Sequence, residues 1–347
     1  MKKVSTILAS TSLLALLVAP NVHADTKYPN TKWDGKNETL INMNYNVKKY
    51  PENVVTLNDN KTKLSKQDKK KLASKGSKKY WAEYKKLDKL GRGQSVQGLV
   101  TYQSLTKSRA QKRPSFSSST HVAGEFTNAR FDKSKQTWIP TKTSTRNNAE
   151  ITSNGYHGWL YNKSHSLAYS LGGDMETHNL TLGTRAQNVG TNKASNGGGM
   201  GYAETKIRKT LDKHHNAKIL YKVEPLYKGK ELLPRGSHVT AYSVNDNGKT
   251  INLNTYVFNA QDNIKLNYKN GAWTYKDESK ARQDDVKSSD EVKKKDSQIA
   301  HEKNDNIQDN DINNSDKTSY DKESHNNKTN HQSFWKKVKS FLNSLLH

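Results

Sequence analysis

Between Trp159 and Asn188 a histidine, His165, follows a short apolar run and is trailed by Asn179, Arg185 and Asn188. Splitting a phosphodiester requires a water relieved of its proton and charge neutralised on the phosphate and the departing oxygen. An imidazole titrates near neutrality, so its unprotonated form can take that proton at working pH. A magnesium-type cation prefers oxygen ligands and keeps several waters, so one amide oxygen, such as that of Asn188, suffices as its protein anchor. Such an ion stabilises the leaving oxygen and orients the phosphate. Arg185 is expected to meet phosphate or the transition state, with a buried structural ion pair as the rival reading. Arg146, in the polar segment before the motif, is a further substrate-binding candidate. His157 and His178 are near enough to compete as the base. The aromatic neighbours of His157 suggest packing, and His178 falls in a loop.

The surrounding pattern says what must position these groups. Trp81, Tyr84, Leu87 and Leu90 recur at helical spacing, with Gly91 and Gly93 to stop the helix. Val96–Leu105 reads as a strand, and Thr137–Pro140 as another strand-like patch. A glycine-rich loop over Asn196–Gly199 precedes a helix over Gly201–His214, with Ala203, Ile207 and Leu211 on one face. Lys218–Leu226, His238–Val244, Thr250–Phe258 and Ile264–Tyr268 alternate like antiparallel strands, and Asn247-Gly248 and Asn270-Gly271 signal hairpins. The lysine-rich run from Lys61 to Lys79 reads as a solvated helix or arm.

Charge and compartment narrow the partners. The chain has 347 residues, no cysteine, 31% hydrophobic residues and a net charge of +25. No disulfide, thiolate metal site or cysteine nucleophile is possible. Residues 1–24 have the charged start, apolar run and small-residue end of a secretory signal. From Lys276 onward basic and acidic residues balance at 14 each, so the whole excess lies before it. Such a field attracts polyanions, nucleic acid and anionic envelope polymers alike. The expected organisation is a signal over 1–24, a polar basic segment over 25–79 and a catalytic domain over 80–275. A disordered charged linker over 276–330 and an amphipathic helix over 331–347 follow. The stripe Phe334, Val338, Phe341, Leu342, Leu345 and Leu346, flanked by Lys336, Lys337 and Lys339, suits a membrane-surface or envelope anchor, or a helix that docks back onto the body.

Asn162-Lys163-Ser164-His165, the apolar Leu167–Leu171, Gly172-Gly173, and Asn179 through Asn188 together resemble the DNA/RNA non-specific endonucleases of the ββα-metal (His-Me finger) superfamily, particularly the secreted DNases of streptococci and related bacteria. That family usually reads Asp-Arg-Gly-His or Asn-Arg-Gly-His. The resemblance covers about Leu87–Tyr275 and is strongest over Gly155–Arg208. It implies an α+β fold, a mixed, mainly antiparallel sheet flanked by helices, with a ββα active-site element. It implies His165 as general base, Asn188 as metal ligand, Asn179 as a site-supporting or substrate-side amide, and Glu204 and Arg208 as an acid and an arginine lining the cleft. Mg2+ is the implied cofactor, with Mn2+ or Ca2+ as alternatives, and DNA, with RNA as a second option, the substrate. Lysine replaces the motif's arginine and serine its glycine; Lys163 can meet phosphate as a point charge but without a bidentate grip. The rival reading is a non-catalytic basic surface protein that captures DNA or acidic envelope polymers. It accounts for the charge and gives no reason for the histidine–asparagine pair.

Overall fold

Alternating apolar and polar residues along Lys218–Leu226, Gly236–Ser243 and Asn252–Phe258 make three long antiparallel strands on which the fold is assembled. The computed structural model describes residues 28–153, 155–190 and 197–281. The expected signal, most of the linker and the terminal helix lie outside the described residues. In chain order the strands are β1 (Asn30–Thr31), β2 (Val54–Leu57), β3 (Trp81–Tyr84), β4 (Val96–Thr101), β5 (Arg130–Asp132), β6 (Thr137–Ile139), β7 (Glu150–Ser153) and β8 (Tyr156–Trp159). They continue as β9 (Tyr161–His165), β10 (Leu180–Thr184), β11 to β13 (the three long strands), β14 (Ile264–Leu266) and β15 (Trp273–Tyr275). The helices are α1 (Asn37–Ile41), α2 (Lys66–Lys75), α3 (Tyr102–Arg109), α4 (Arg185–Val189) and α5 (Met200–Lys213).

Seven strands form the main sheet in the order β1-β2-β13-β12-β11-β4-β3, antiparallel except where β1 joins β2. On α5, Ala203, Ile207 and Leu211 fall on one face and are buried in a single cluster with Ile219, Tyr221, Val239 and Leu253 of the sheet. Each such aliphatic side chain removed from water contributes about 1.5–3 kcal/mol. A second cluster gathers Leu40, Tyr50, Leu57, Tyr256 and Phe258. A third gathers Ile151, Leu160, Tyr161, Leu180 and Leu182 beneath the small hairpins. The fold is thus α+β with a mainly antiparallel sheet.

Three expectations need correction. Trp81–Tyr84 is not helical: it is an edge strand paired with β4, Trp81 opposite Leu99 and Tyr84 opposite Val96. Aromatic residues favour a half-covered sheet edge, and the apparent helical spacing joins a strand to the turn in which Gly91 N–H bonds Asp88 O. The strand from Val96 ends at Thr101, because Thr101 and Ser104 form a capping box that starts α3. The polar segment before residue 80 is not separate from the sheet, since β2 pairs with β13 and Asn53 donates to the carbonyls of Phe258 and Ala260.

Candidate active site

β9 and β10 pair antiparallel, with His165 opposite Leu180 and Asn162 opposite Gly183. Thr184 then ends the strand and caps α4, its hydroxyl accepting from Gln187 N–H at 3.0 Å while donating to Ala260 O. α4 lies close over the hairpin. A methyl group on Gly183 would stand 2.1 Å from Gln187 Oε1 and 2.9 Å from Ser164 Cβ, so glycine is required there. These three elements are the expected ββα unit.

His165 ends β9 with only 8% of its surface exposed. The Phe116 ring stacks on it at 5.6 Å and 26°. Its Nε2 is buried without a hydrogen-bond partner. Burial, then the nearby Arg113 guanidinium, push the imidazole down to about 3, while Asp174 and a hydrogen bond to its backbone pull weakly the other way. The ring is therefore neutral across the physiological range. The loop that supplies Asp174 is held by Asn179. Its Oδ1 accepts from Leu167 N–H at 2.8 Å, and its Nδ2 donates to Leu167 O and Asp174 O, both at 2.9 Å.

Asn188 is reached through the residue next to His165: Ser164 Oγ donates to Asn188 Oδ1 at 3.1 Å. Asn162 shares that face of β9, and its Oδ1 is buried and unpartnered. Among the described residues no group of three His, Asp or Glu side chains is placed to hold a metal. An ion at this corner would therefore be held by amide oxygens and water, the donor set suited to a hard cation. The unpartnered oxygen of Asn162 and the oxygen of Asn188, which meets the same face of β9 through Ser164, are donors of that kind.

On α5, Arg208 Nη1 lies 3.8 Å from Glu204 Oε2 and donates to Ser170 Oγ at 3.1 Å, and Nη2 donates to Thr205 Oγ1. Burial raises the Glu204 carboxyl, with Arg208 and Arg113 opposing. The buried hydroxyl of Tyr221 has no hydrogen-bond partner and feels both Glu204 and Arg208. Arg113, absent from the sequence reading, thus acts on the histidine and on the acid together.

The other sequence candidates are placed differently. Lys163 turns inward: its Nζ donates to Thr120 O at 2.6 Å and lies 3.4 Å from Glu125 Oε1. Arg146 Nη1 approaches the same carboxylate at 3.4 Å, its guanidinium over the Phe126 ring. Burial raises Glu125, yet His121, Lys163 and Arg146 outweigh it and hold the carboxyl below its ordinary range. Both cations therefore pair with the buried Glu125 carboxylate, Lys163 from within and Arg146 from a part-exposed position. Asn179 is fully buried with its amide committed to backbone, which closes it to substrate. Arg185 opens α4, its guanidinium 5.8 Å from the Tyr156 ring. His178 pairs with Asp174 at 2.7 Å and packs on Tyr84, and His157 meets Thr152 Oγ1 at 3.0 Å on β8. Glu125 and Arg113 carried no spacing signal: each meets the site across a long stretch of chain.

Residues 127–245 match the family model described as DNA/RNA non-specific endonuclease. A deoxyribonuclease of Streptococcus dysgalactiae subsp. equisimilis is 39% identical over 116 residues, 33% of this chain and 33% of that protein. The chain thus spans about a third of the curated relative's length. The solved structure of Sda1 nuclease with bound zinc ion has the same fold, at a TM-score of 0.54 and 24% identity over 66% of this chain and 99% of that one. The segment that carries the site is thus similar to the DNA/RNA non-specific endonucleases.

Proposed function

We propose that the protein is a secreted endonuclease that hydrolyses DNA, and RNA less selectively, with a divalent metal, Mg2+ in the first instance. His165 is the general base. Its unpartnered Nε2, neutral at working pH, is free to take a proton from the attacking water. Asn188, with Asn162 on the same face of β9, would hold the ion, which when bound supplies positive charge at the phosphate and the departing oxygen. Ser164 orients the Asn188 amide, and Asn179 fixes the loop that steers the imidazole. Arg208 would meet the phosphate and Glu204 the water network around it. Arg185 stands at the start of the helix that carries Asn188, where it can meet a phosphate oxygen. Contacts to the backbone would dominate, so little base preference is expected. Residues 1–24 would direct secretion, and 331–347 would tether the enzyme to a membrane or envelope surface.

The observation that carries this reading is the buried, unpartnered imidazole nitrogen on a strand tied through Ser164 to Asn188. A non-catalytic binder has no use for it. Supercoiled plasmid incubated with the purified protein should be nicked with Mg2+ and left intact with EDTA. Cleavage that persists in chelator, or in His165→Ala, would overturn the mechanism.

A further inference from the structure

The edge strand β3 is bracketed by exposed lysines, Lys78 and Lys79 before it and Lys85 and Lys86 after it. Lys69 and Lys70 of α2 are exposed as well. The acids of this region are already neutralised. Asp68 receives Lys222 at 2.7 Å, Glu83 receives Lys71 at 2.7 Å and Asp88 receives Arg92 at 2.7 Å. The positive charge of the edge is left to solvent. The strand also abuts the catalytic loop. Tyr80 donates its hydroxyl to Gly172 O at 2.5 Å, Tyr84 OH accepts from Asp174 N–H at 3.2 Å, and Tyr84 packs on His178 at 4.6 Å. Asp174 is the residue whose backbone meets His165. The lysines, α2 and β3 themselves lie outside the matched segment, residues 127–245.

We propose that the β3 edge, with Lys78, Lys79, Lys85 and Lys86 as its charges and α2 as its extension, is a docking rail for the phosphate backbone of duplex nucleic acid outside the cleft. The proposal rests on the nuclease reading for what the rail delivers. Lys79 to Lys85 spans about 20 Å at roughly 3.3 Å per residue. That is about six steps of a strand whose charges repeat every ~3.4 Å. Lysines are point charges without base-reading geometry, so the rail is indifferent to sequence.

The test compares two variants of equal charge in a His165→Ala background, where binding is read without cleavage. One carries glutamine at Lys78, Lys79, Lys85 and Lys86; the other carries it at Lys32, Lys36, Lys48 and Lys49, exposed lysines near the opposite edge of the sheet. Binding of a 40-base-pair duplex (~40) is followed by mobility shift across salt, as is binding to anionic lipid vesicles. The rail variant should bind DNA about tenfold weaker or more near physiological salt, with a salt slope lower by ~2–4, and the control should stay near the parent. Equal losses in both variants, no loss in either, or a loss confined to vesicles would overturn the rail. If the four-lysine variant does not fold, the two pairs Lys78/Lys79 and Lys85/Lys86 are tested separately for the same asymmetry. A parent that binds duplex through the rail yet never nicks plasmid with any divalent metal would sink the nuclease reading and leave the rail standing.

Discussion

The central sheet and the β9–α4 corner treat buried polar groups in opposite ways. On and around the sheet, Asp68 of α2 is met by Lys222, Gln97 and Ser65, Asn53 donates to two carbonyls, and Asn254 bonds His238 and Lys61. At the corner, Asn162 Oδ1, His165 Nε2 and Gln187 Oε1 are buried without partners, and Tyr221 OH joins them from the sheet face turned toward Glu204. A buried donor or acceptor left unpaired costs about 1–3 kcal/mol. Saturated groups hold the scaffold together, whereas unsatisfied ones are kept for something that arrives. Stability and activity should therefore separate by region.

The largest expected effect is at the corner. His165→Ala should lower plasmid nicking by about 10²–10⁴-fold while the thermal midpoint stays level or rises. A fall in midpoint with nicking preserved would break the contrast. Asn179→Ala should show both faces at once. Leaving three backbone groups without their partner costs about 3 kcal/mol or more, a drop of roughly 6–12 °C in midpoint for a domain of this size, and the histidine's loop loosens with it. Thermal melts and kcat measured well below the midpoint distinguish the two losses. On the sheet side, Asn53→Ala should cost about 1–3 kcal/mol and spare the rate per folded molecule.

A smaller effect sharpens the account of the corner itself. Burial and Arg113 hold His165 down at about 3, so the imidazole stays unprotonated as pH falls, and under the proposed mechanism the acid limb of kcat/KM should lie well below 6.5. Phe116→Ala uncovers the imidazole and raises its pKa toward 6.5, so activity should fade at a higher pH than in the parent. An acid limb that does not move would remove Phe116 from the account.

The ββα unit at this corner was legible in sequence because its parts are local. His165 and Asn188 sit on adjoining elements of one ββα unit, and Glu204 and Arg208 share a turn of α5. The long strands were legible for the same reason, since alternation is a property of each segment. What was hidden depends on distant partners. The ion pair of Lys163 was hidden because Glu125, its partner, is brought beneath it by another segment. Trp81–Tyr84 looked helical because the edge of β4 that makes it a strand lies beyond a turn. Arg113 acts on His165 and Glu204 only after three separate stretches have packed together.

The Asn179 side chain has one more consequence. Its nitrogen faces two carbonyls and its oxygen faces one amide hydrogen, an arrangement with a unique polarity. Exchange of that nitrogen for oxygen, the outcome of deamidation, would set a carboxylate against two carbonyl oxygens and spring the clasp. Chemical ageing at a single atom would thus loosen the loop at His165 without touching His165, Asn162 or Asn188.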